Sequence, residues 1–283
     1  MAGHRSFSAV RQLTDCGEAY RLARIERVTE QPMAAGAAGK IIHIGTEYVD
    51  YAIIDGATDK GALTLIAHKA AAEATPQVIE EELSEAYPDT ASWMSFGRRT
   101  VAKPQGEDMQ WFITEGIPTA LANYVEWRLQ NSHLQVAEVE RVGETCTLYA
   151  IEIEFEIRLS PDCAPIRGAI DRVFRDSNGT PLLVDIKSGL KPKSSSQLGL
   201  YARAWQEMYG EKIQYGAYVY GLKKGVTATP PIDLSVWTDE RLNQVYGTAD
   251  KLIEQGLFIP KPGDGCFTCT VKRNCDYYVA SIF

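Results

Sequence analysis

The sequence predicts an α/β fold in which helices pack on a mixed β-sheet. Residues 148–157 alternate apolar and polar side chains, the pattern of a strand with one buried face. Residues 181–187 are almost continuously apolar, as in a strand that is covered on both faces. A helical segment separates this strand from the next one. The resulting order, helix, strand, strand, strand, helix, strand, favours a sheet flanked by helices.

Two helices are predicted before the sheet. Residues 6–28 have helical apolar spacing, and either Ser6 or Ser8 can cap the helix. The Gly- and Ala-rich run 36–39 is predicted to break the chain, and a second helix is predicted over 40–54. One face of this second helix carries three side chains four residues apart, namely His43, Glu47 and Tyr51.

The segment 57–146 contains no chemical motif and is interpreted as a mainly helical insertion with some strand. Helical patterns occur over 63–74, 78–86 and 119–130, whereas Pro88 and Pro104 mark loops. After it, the pattern predicts strands over 148–157, 167–175, 181–187 and 214–222, a turn at 177–179, and helices over 194–209 and 238–255. We therefore expect a single domain of four segments: 1–56, 57–146, 147–258 and 259–283.

Composition limits the functional classes. The chain has 283 residues, 45% of them hydrophobic, and a net charge of −8, so a protein coated in basic charge is excluded but a local basic channel is not. Between Arg167 and Lys193 six basic residues face three acidic ones. No apolar run approaches the roughly 18 residues that span a bilayer, and no signal-peptide core is present. We therefore expect a cytoplasmic protein with no membrane partner.

A lysine and two carboxylates form the first chemical constellation. Asp185 and Lys187 lie two apart on one predicted strand and therefore share a face. Asp171 lies on the preceding strand, and the tight turn between the strands can bring it close to Asp185. Glu156, on the first strand, is the other acidic side chain considered near this pair. Two adjacent carboxylates repel each other unless a cation neutralises them, and oxygen ligands suit Mg²⁺ or Mn²⁺.

The surrounding residues identify a family resemblance. Gly168-Ala169-Ile170-Asp171, then Asp185-Ile186-Lys187-Ser188-Gly189, then Gln197 and Tyr201, resemble the patterns G-x-x-D, D-x-K-[ST]-G and Q-x-x-x-Y of the RecB-like PD-(D/E)XK nucleases. These proteins carry a His four residues after a Gly on the helix before the sheet, and Gly39 and His43 fit that spacing. The resemblance implies a restriction-endonuclease-like fold and a DNA-hydrolysing activity.

The resemblance also implies roles for individual residues. His43, Asp171 and Asp185 would be metal ligands together with the Ile186 carbonyl, and Lys187 would be the catalytic lysine. Gln197 and Tyr201 would position the strand or the phosphate. Each has a structural alternative: His43 could be an ordinary core or surface histidine, with His68 as its rival, and Tyr201 could be a plain core residue.

The cysteines form a second constellation. Cys266, Cys269 and Cys275 read C-x2-C-x5-C, and Cys16 stands far upstream. Four cysteines suit either a structural zinc ion or an iron–sulfur cluster, and the residues alone do not separate these. One N-terminal and three C-terminal cysteines resemble the [4Fe–4S] sites of Cas-four-type exonucleases and AddB-type subunits, which implies such a cluster. Many of those relatives have Pro after the first cysteine, where this chain has Gly17. Cys146 and Cys163 fit neither set.

These inferences predict a stand-alone Cas-four-type enzyme: an Mg²⁺- or Mn²⁺-dependent DNA exonuclease that acts on single-stranded ends in recombination, repair or CRISPR adaptation. Five basic residues are predicted to contact the DNA backbone: Arg172, Lys191, Lys193, Lys223 and Lys224. Partners would be DNA and either a second copy of the chain or recombination or CRISPR proteins. Two alternatives stay open, a catalytically idle DNA-binding or docking module with the same fold and a zinc-clasped structural protein whose Asp-x-Lys is accidental.

Overall fold

The computed structural model describes residues 4–97, 101, 105–140 and 147–278. The N-terminal segment forms α1 (Phe7–Asp15) and α2 (Gly17–Tyr20), and α2 continues as a π-helical turn, Arg21–Ile25. Ser6 caps α1 by accepting the Ala9 N–H at 3.1 Å. The single helix predicted over 6–28 is thus interrupted, because Cys16 between α1 and α2 has an extended backbone.

The following helices are longer than predicted. Helix α3 spans Ala34–Ile54 and runs straight through the predicted break at 36–39. That break is wrong because Ala37 and Ala38 are buried, and their small side chains let α3 pack closely in the core. Helix α4 spans Lys60–Glu82, with Pro76 inside it, where two separate helical patches were predicted.

Two further helices and two short strands complete the first half of the molecule. A 3₁₀ turn, Thr90–Ser92, precedes α5 (Met109–Trp111), which continues through a π-helical turn, Phe112–Gly116, into α6 (Ile117–Gln130). Strands β1 (Gln135–Val136) and β2 (Glu138–Glu140) follow, and β2 pairs with β3 (Thr147–Tyr149). Apolar side chains of α3, α4 and α6 share one hydrophobic cluster with one face of the main sheet.

The main sheet has seven strands within the described residues. Its centre consists of β4 (Ile151–Ile157), β5 (Ile166–Arg175), β6 (Pro181–Lys187) and β7 (Tyr215–Tyr220). Strand β5 is antiparallel to β4 and β6, while β6 is parallel to β7 because helix α7 (Ser196–Tyr209) crosses over between them. At the edges, β1 pairs with β5, and β8 (Thr227–Ala228) and β9 (Ile232–Asp233) pair with β7.

The other face of the sheet is covered by α1, by α7 and by the segment after β9. Between β7 and β8 lies a 3₁₀ turn, Leu222–Lys224, and the last helical segment comprises α8 (Asp239–Leu242), a π-helical turn (Asn243–Gly247) and α9 (Thr248–Glu254). Thr238 caps α8, and two 3₁₀ turns, Asp264–Thr268 and Lys272–Asn274, carry the cysteine tail. The predicted mixed α/β fold with flanking helices is confirmed. No described helix meets the length and hydropathy that a membrane span requires.

Candidate functional site

The β5–β6 hairpin brings two aspartates together in the interior. Its paired residues run from Arg175 and Pro181 to Arg172 and Val184, so the next step of the ladder places Asp171 beside Asp185. Both carboxylates are buried. The turn at 177–179 was predicted, and Gly179 supplies its positive φ of 78°. The two aspartates are therefore brought together by local strand geometry, as the sequence indicated.

Asp185 and Lys187 lie on the same face of β6. The Lys187 ammonium is 2.8 Å from the Asp185 carboxylate. Asp185 Oδ2 is buried and accepts no well-aligned hydrogen bond within the described residues, despite that ion pair. Burial raises the pKa of Asp185, and the neighbouring Asp171 raises it further, to about 7. The carboxylate is thus poorly neutralised by the protein alone.

Helix α3 carries His43 onto this pair of strands. His43 Nε2 lies 2.9 Å from the Ile186 carbonyl oxygen, and its Nδ1 lies 3.5 Å from Glu152 Oε1 and 3.9 Å from Asp171 Oδ2. Gly39, one turn before His43, faces the turn after β6, where a Cβ would stand 3.4 Å from the Ser188 hydroxyl, an ordinary contact. The Gly–His spacing therefore places both residues of this helix face against β6 and the turn that follows it.

The charges around His43 favour its protonated form in this metal-free arrangement. Burial alone would lower the pKa of His43, but the carboxylates of Asp171 and Glu152 outweigh burial and raise it to about 9. The Ile186 N–H donates to Asp171 Oδ2 at 2.7 Å, which fixes the orientation of that carboxylate. In the absence of a metal ion, the His43 imidazolium supplies positive charge between the Asp171 and Glu152 carboxylates.

Glu152 belongs to the site although the sequence did not single it out. Ligand atoms of His43, Glu152 and Asp171 lie within 4.8 Å of one another, the only such group among the described residues. Glu152 has a φ of +49°, a backbone conformation that non-glycine residues rarely adopt and that recurs at functional sites. Glu156, the acid considered at first, instead forms an exposed ion pair with Arg167.

Glu47 is a second acidic neighbour that sequence reasoning noticed only as part of a helix face. It lies one turn after His43, and burial together with the Glu152 charge raises its pKa to about 7. Because β4 has acidic residues at 152, 154 and 156, alternation alone could not tell which one faces α3. The pairing register of β4 with β5 decides it: Ile151 pairs with Arg172 and Ile153 with Ile170, and Glu152 between them lies near Asp171.

These donors fit a hard divalent cation. The cluster offers carboxylate oxygens, one imidazole nitrogen and one main-chain carbonyl, and oxygen-rich donor sets of this kind suit Mg²⁺ or Mn²⁺. The repulsion between the buried Asp171 and Asp185 carboxylates, which raises the pKa of Asp185, would be relieved by a cation. His43, Glu152, Asp171, Asp185 and the Ile186 carbonyl are the groups that could hold such an ion.

Gln197 and Tyr201 lie beside this cluster on α7. Gln197 Nε2 donates to Tyr201 Oη at 2.7 Å, and both side chains are buried. Burial raises the pKa of Tyr201, and the charges of Asp171 and Asp185 raise it further, so the phenol stays protonated. The pair thus presents neutral hydrogen-bonding groups near the carboxylates.

The predicted DNA-contacting residues differ in accessibility. Lys191, Lys193 and Lys224 have exposed side chains, and Gly221 N–H donates to Gly189 O at 2.9 Å, which ties the loop after β6 to the Leu222–Lys224 turn. Lys223 is paired with Glu107 at 2.6 Å. The prediction for Arg172 is wrong: its side chain is fully buried and pairs with Asp50, so it cannot reach a phosphate.

The four cysteines of the second constellation line one cavity of about 660 Å³, between the chain's first helices and its tail. Burial raises the pKa of the Cys269 thiol, and the other three thiols raise it further. No three of these sulfurs lie within the 4.8 Å spacing of a single-ion site among the described residues. The cavity therefore brings the four thiols to one region without assigning either a zinc ion or a cluster to it.

Gly17 explains the departure from the Cys–Pro pattern. Its N–H donates to the Ile259 carbonyl at 2.9 Å, a bond that proline could not make. A Cβ at position 17 would stand 2.4 Å from Ile259 N, so the tail lies directly against this glycine. The tail is thereby seated beside Cys16, whose Sγ accepts the Lys261 N–H at 3.3 Å.

The remaining residues considered from the sequence lie elsewhere. His68 contacts the Pro118 carbonyl at 3.2 Å. Cys163 accepts a hydrogen bond from Ser160 at 3.1 Å, and Cys146 lies outside the described residues.

Comparisons with known proteins show which family the chain matches. The family model of the PD-(D/E)XK nuclease superfamily matches residues 4–276. The chain is similar to the Gene 69 protein of Mycobacterium phage L5, at 28% identity over 97% of this chain and 96% of that protein. It is also similar to the Gene 69 protein of Mycobacterium phage D29, at 30% identity over 97% of each chain. A solved structure titled "Crystal structure of SSO0001" aligns with 46% of this chain and 61% of its own, at 17% identity and a TM-score of 0.30, too low for a structural argument.

Proposed function

Because the chain belongs to the PD-(D/E)XK nuclease superfamily, whose activity is metal-dependent, we propose that it is an Mg²⁺- or Mn²⁺-dependent DNA exonuclease acting on single-stranded ends. One observation carries this proposal: His43, Asp171, Asp185 and Lys187 come from a helix and two strands yet meet at the Ile186 main chain. An idle module would have no need to bury two such carboxylates, which are costly without a cation.

In this proposal each residue has a separate task. His43, Glu152, Asp171, Asp185 and the Ile186 carbonyl hold the cation. When bound, that ion polarises the scissile phosphate and lowers the pKa of a water molecule. The Lys187 ammonium, kept in place by Asp185, orients the attacking water or offsets negative charge that develops on the phosphate. Gln197 and Tyr201 donate hydrogen bonds that position the phosphate or the strand.

The surface around the centre supports a single-stranded substrate. Lys191, Lys193 and Lys224 supply positive charge for the phosphate backbone without reading sequence. Tyr51 lies two turns beyond His43 on α3 and is 43% exposed, and its pKa is raised by burial and by the nearby Glu47. An exposed tyrosine beside an active centre is a platform on which an unpaired base can stack.

The cysteine cavity is proposed to hold a [4Fe–4S] cluster with a structural role, as in Cas-four-type enzymes. The support is the cavity that the four cysteines share and the tail seated on Gly17. The proposed setting is cytoplasmic DNA recombination, repair or CRISPR adaptation, with DNA and either a second copy of the chain or proteins of those pathways as partners.

A time course on labelled DNA tests the nuclease proposal. Linear single strands labelled at either end, the matching duplex and circular single strands are incubated with Mn²⁺, Mg²⁺ or EDTA. We expect progressive shortening of linear single strands, slower attack on duplex, survival of circles and no reaction in EDTA. The parent protein is compared with Asp171→Asn and Lys187→Ala, and Lys60→Ala serves as a surface lysine control.

The outcomes separate the alternatives. Equal signals from the parent and both site variants would mean that the activity does not come from this centre. Cleavage of circular single strands as fast as linear ones would support a nuclease activity but contradict the proposal of an exonuclease. An anaerobic preparation without broad visible absorbance and without about four iron atoms per chain would reject the cluster. DNA affinity that does not fall with salt would reject the lysine contacts.

A further inference from the structure

Behind the metal centre lies a buried polar network that the proposed reaction does not use directly. Its centre is Asp50, on α3 two turns after His43, and its side chain is fully buried. Arg128 Nε donates to Asp50 Oδ1 at 2.6 Å, and Arg172 Nε and Tyr124 Oη donate to Oδ2 at 2.7 and 2.6 Å. Both arginines are buried, so two guanidinium groups share one carboxylate.

Arg172 also touches every protein segment that supplies the His–Glu–Asp group. Its Nη1 donates to the Asp171 carbonyl at 2.5 Å and to Glu152 Oε1 at 3.3 Å. Its Nη2 donates to Thr46 Oγ1 at 3.3 Å, and that hydroxyl donates to the His43 carbonyl at 2.7 Å. One planar guanidinium therefore joins β4, β5 and α3. It contacts Glu152 and Asp171 directly and His43 through Thr46.

We propose that Arg172, anchored by Asp50, is a positioning residue that sets the separation of His43, Glu152 and Asp171 before any cation binds. The inference rests on the proposed metal centre and adds a residue that positions its ligands. Five donor groups in a rigid fork suit this task, because they can satisfy several acceptors at once in fixed directions. Glu152 needs such a hold, since its left-handed backbone conformation is otherwise unfavourable.

Arg172 could instead be only a structural charge partner, and the two roles predict opposite changes in cation affinity. A guanidinium close to the centre repels a cation, so removing it would tighten cation binding if its charge were all that mattered. If Arg172 positions the ligands, removing it weakens binding despite the lost repulsion. Partners that orient metal ligands typically change metal affinity by about 10–100-fold when they are replaced.

Arg128 provides a matched control. It donates to the same Asp50 and is equally buried. Within the part of the chain that the structure describes, however, it contacts Asp50, the Asn131 carbonyl and the rings of Trp127 and Phe174 rather than the ligand group. Arg128→Met and Arg172→Met each leave Asp50 with one guanidinium. We expect both to lower the melting temperature of the metal-free protein. Only Arg172→Met should change the metal centre.

The experiment measures Mn²⁺ binding to the full chain, without DNA, by calorimetry and by electron paramagnetic resonance of free Mn²⁺. We expect the Mn²⁺ Kd to rise about 10–100-fold in Arg172→Met, to rise similarly in the charge-conserving Arg172→Lys, and to stay within about twofold in Arg128→Met. Thr46→Val, which removes only the link to the His43 carbonyl, should give a smaller rise. If Arg172→Met fails to fold, Arg172→Lys and Thr46→Val carry the test.

Several results would overturn the inference. Unchanged or tighter Mn²⁺ binding in the folded Arg172 variants would leave Arg172 as a structural charge partner. An equal rise in Arg128→Met would mean that general loosening of the core is responsible. The Asp171→Asn variant separates failure of the Arg172 inference from failure of the proposed metal centre itself. If the parent binds Mn²⁺ no better than Asp171→Asn, the proposed centre is wrong, whatever the arginines do.

Discussion

The metal centre and the cysteine cavity collect their ligands from distant parts of the chain, but they are held together differently. The proposed metal centre lies on β4, β5, β6 and α3, where main-chain hydrogen bonds orient Asp171 and His43. The cysteine cavity is bounded by short 3₁₀ turns and helices. Among the described residues, its apolar cluster has three buried members, Leu22, Ala23 and Val271, with a few partly buried side chains against them. Buried strands hold the first, whereas the second is held by a small apolar cluster and by hydrogen bonds between the tail and the N-terminal segment, such as those from Gly17 N–H to the Ile259 carbonyl and from Gln31 N–H to the Thr270 carbonyl.

Because the two sites are held together differently, a bound group is expected to serve reactivity at the metal centre and stability at the cysteine cavity. A centre whose donors are already fixed gains reactivity from its ion, and its fold should survive without it. A cavity that joins residues far apart in sequence gains stability from whatever links its walls, because cross-linking a long loop reduces the entropy of the unfolded chain. We therefore expect loss of metal to cost activity and loss of the cysteine-bound group to cost folding.

The largest expected effect is on activity at the metal centre. Asp185→Asn keeps the side-chain shape but removes a cation ligand and the anchor of Lys187, so we expect the nuclease rate to fall by about 10³-fold, in the upper range for loss of one charge-stabilising group. The melting temperature in EDTA should not fall, because the buried charge itself is unfavourable. Initial rates and thermal melts check this. Asp233→Asn, at an exposed aspartate on β9, is the control.

A smaller effect is expected on stability at the cysteine cavity. Cys269→Ser should weaken the proposed cluster and lower the free energy of unfolding by about 2–4 kcal/mol, the range typical of covalent cross-links. Limited proteolysis should then cut the tail after residue 259 before the sheet core opens. Cys163→Ser, outside the cavity, should leave the protease pattern unchanged. Equal protection of the tail in both variants would contradict the comparison.

Gly17 tests how the tail is seated without touching a thiol. Gly17→Ala places a methyl group against the Ile259 main chain, and we expect a destabilisation of about 1–3 kcal/mol, as for overpacking elsewhere. Tail proteolysis and urea unfolding measure it. Gly36→Ala, where only Met33 Cβ lies within 4 Å at 3.8 Å, is the matched control and should be neutral or stabilising. If the two variants have the same free energy of unfolding and the same tail proteolysis, the tail does not depend on this contact.

The smallest effect concerns pH. Burial and Asp171 raise the pKa of Asp185 to about 7, above its unfolded value of about 3.8, so its protonated form favours the folded state. Stability from this group is present at low pH and is lost as pH rises towards 7. In EDTA we expect the melting temperature to fall by about 2–4 °C more between pH 5.5 and 8 in the parent than in Asp185→Asn. Parallel curves for the two proteins would contradict this.

Local sequence signals predicted much of the sheet and part of the centre. The β5–β6 hairpin follows from strand alternation and an Asn–Gly turn, so Asp171, Asp185 and Lys187 could be placed from sequence. Glu152 could not be placed, because its position depends on the pairing of β4 with β5 and on its own left-handed backbone conformation, which no sequence pattern predicts. Arg172 was assigned to DNA because a strand pattern does not reveal which basic residues point into the interior. The helix through 36–39 was missed because packing of small residues outweighed the low helix propensity of glycine.

The shared cavity of Cys16 and Cys275 has a consequence for biosynthesis. At translation rates of about 5–20 residues per second, the first thiol waits on the order of 10–50 s for the last one to leave the ribosome. During that interval the strands that carry the proposed metal centre can already pair. If the proposed cluster forms, its assembly at the four thiols is then the last step of folding, and chains made without enough iron would be folded at the sheet but not joined at the two chain ends.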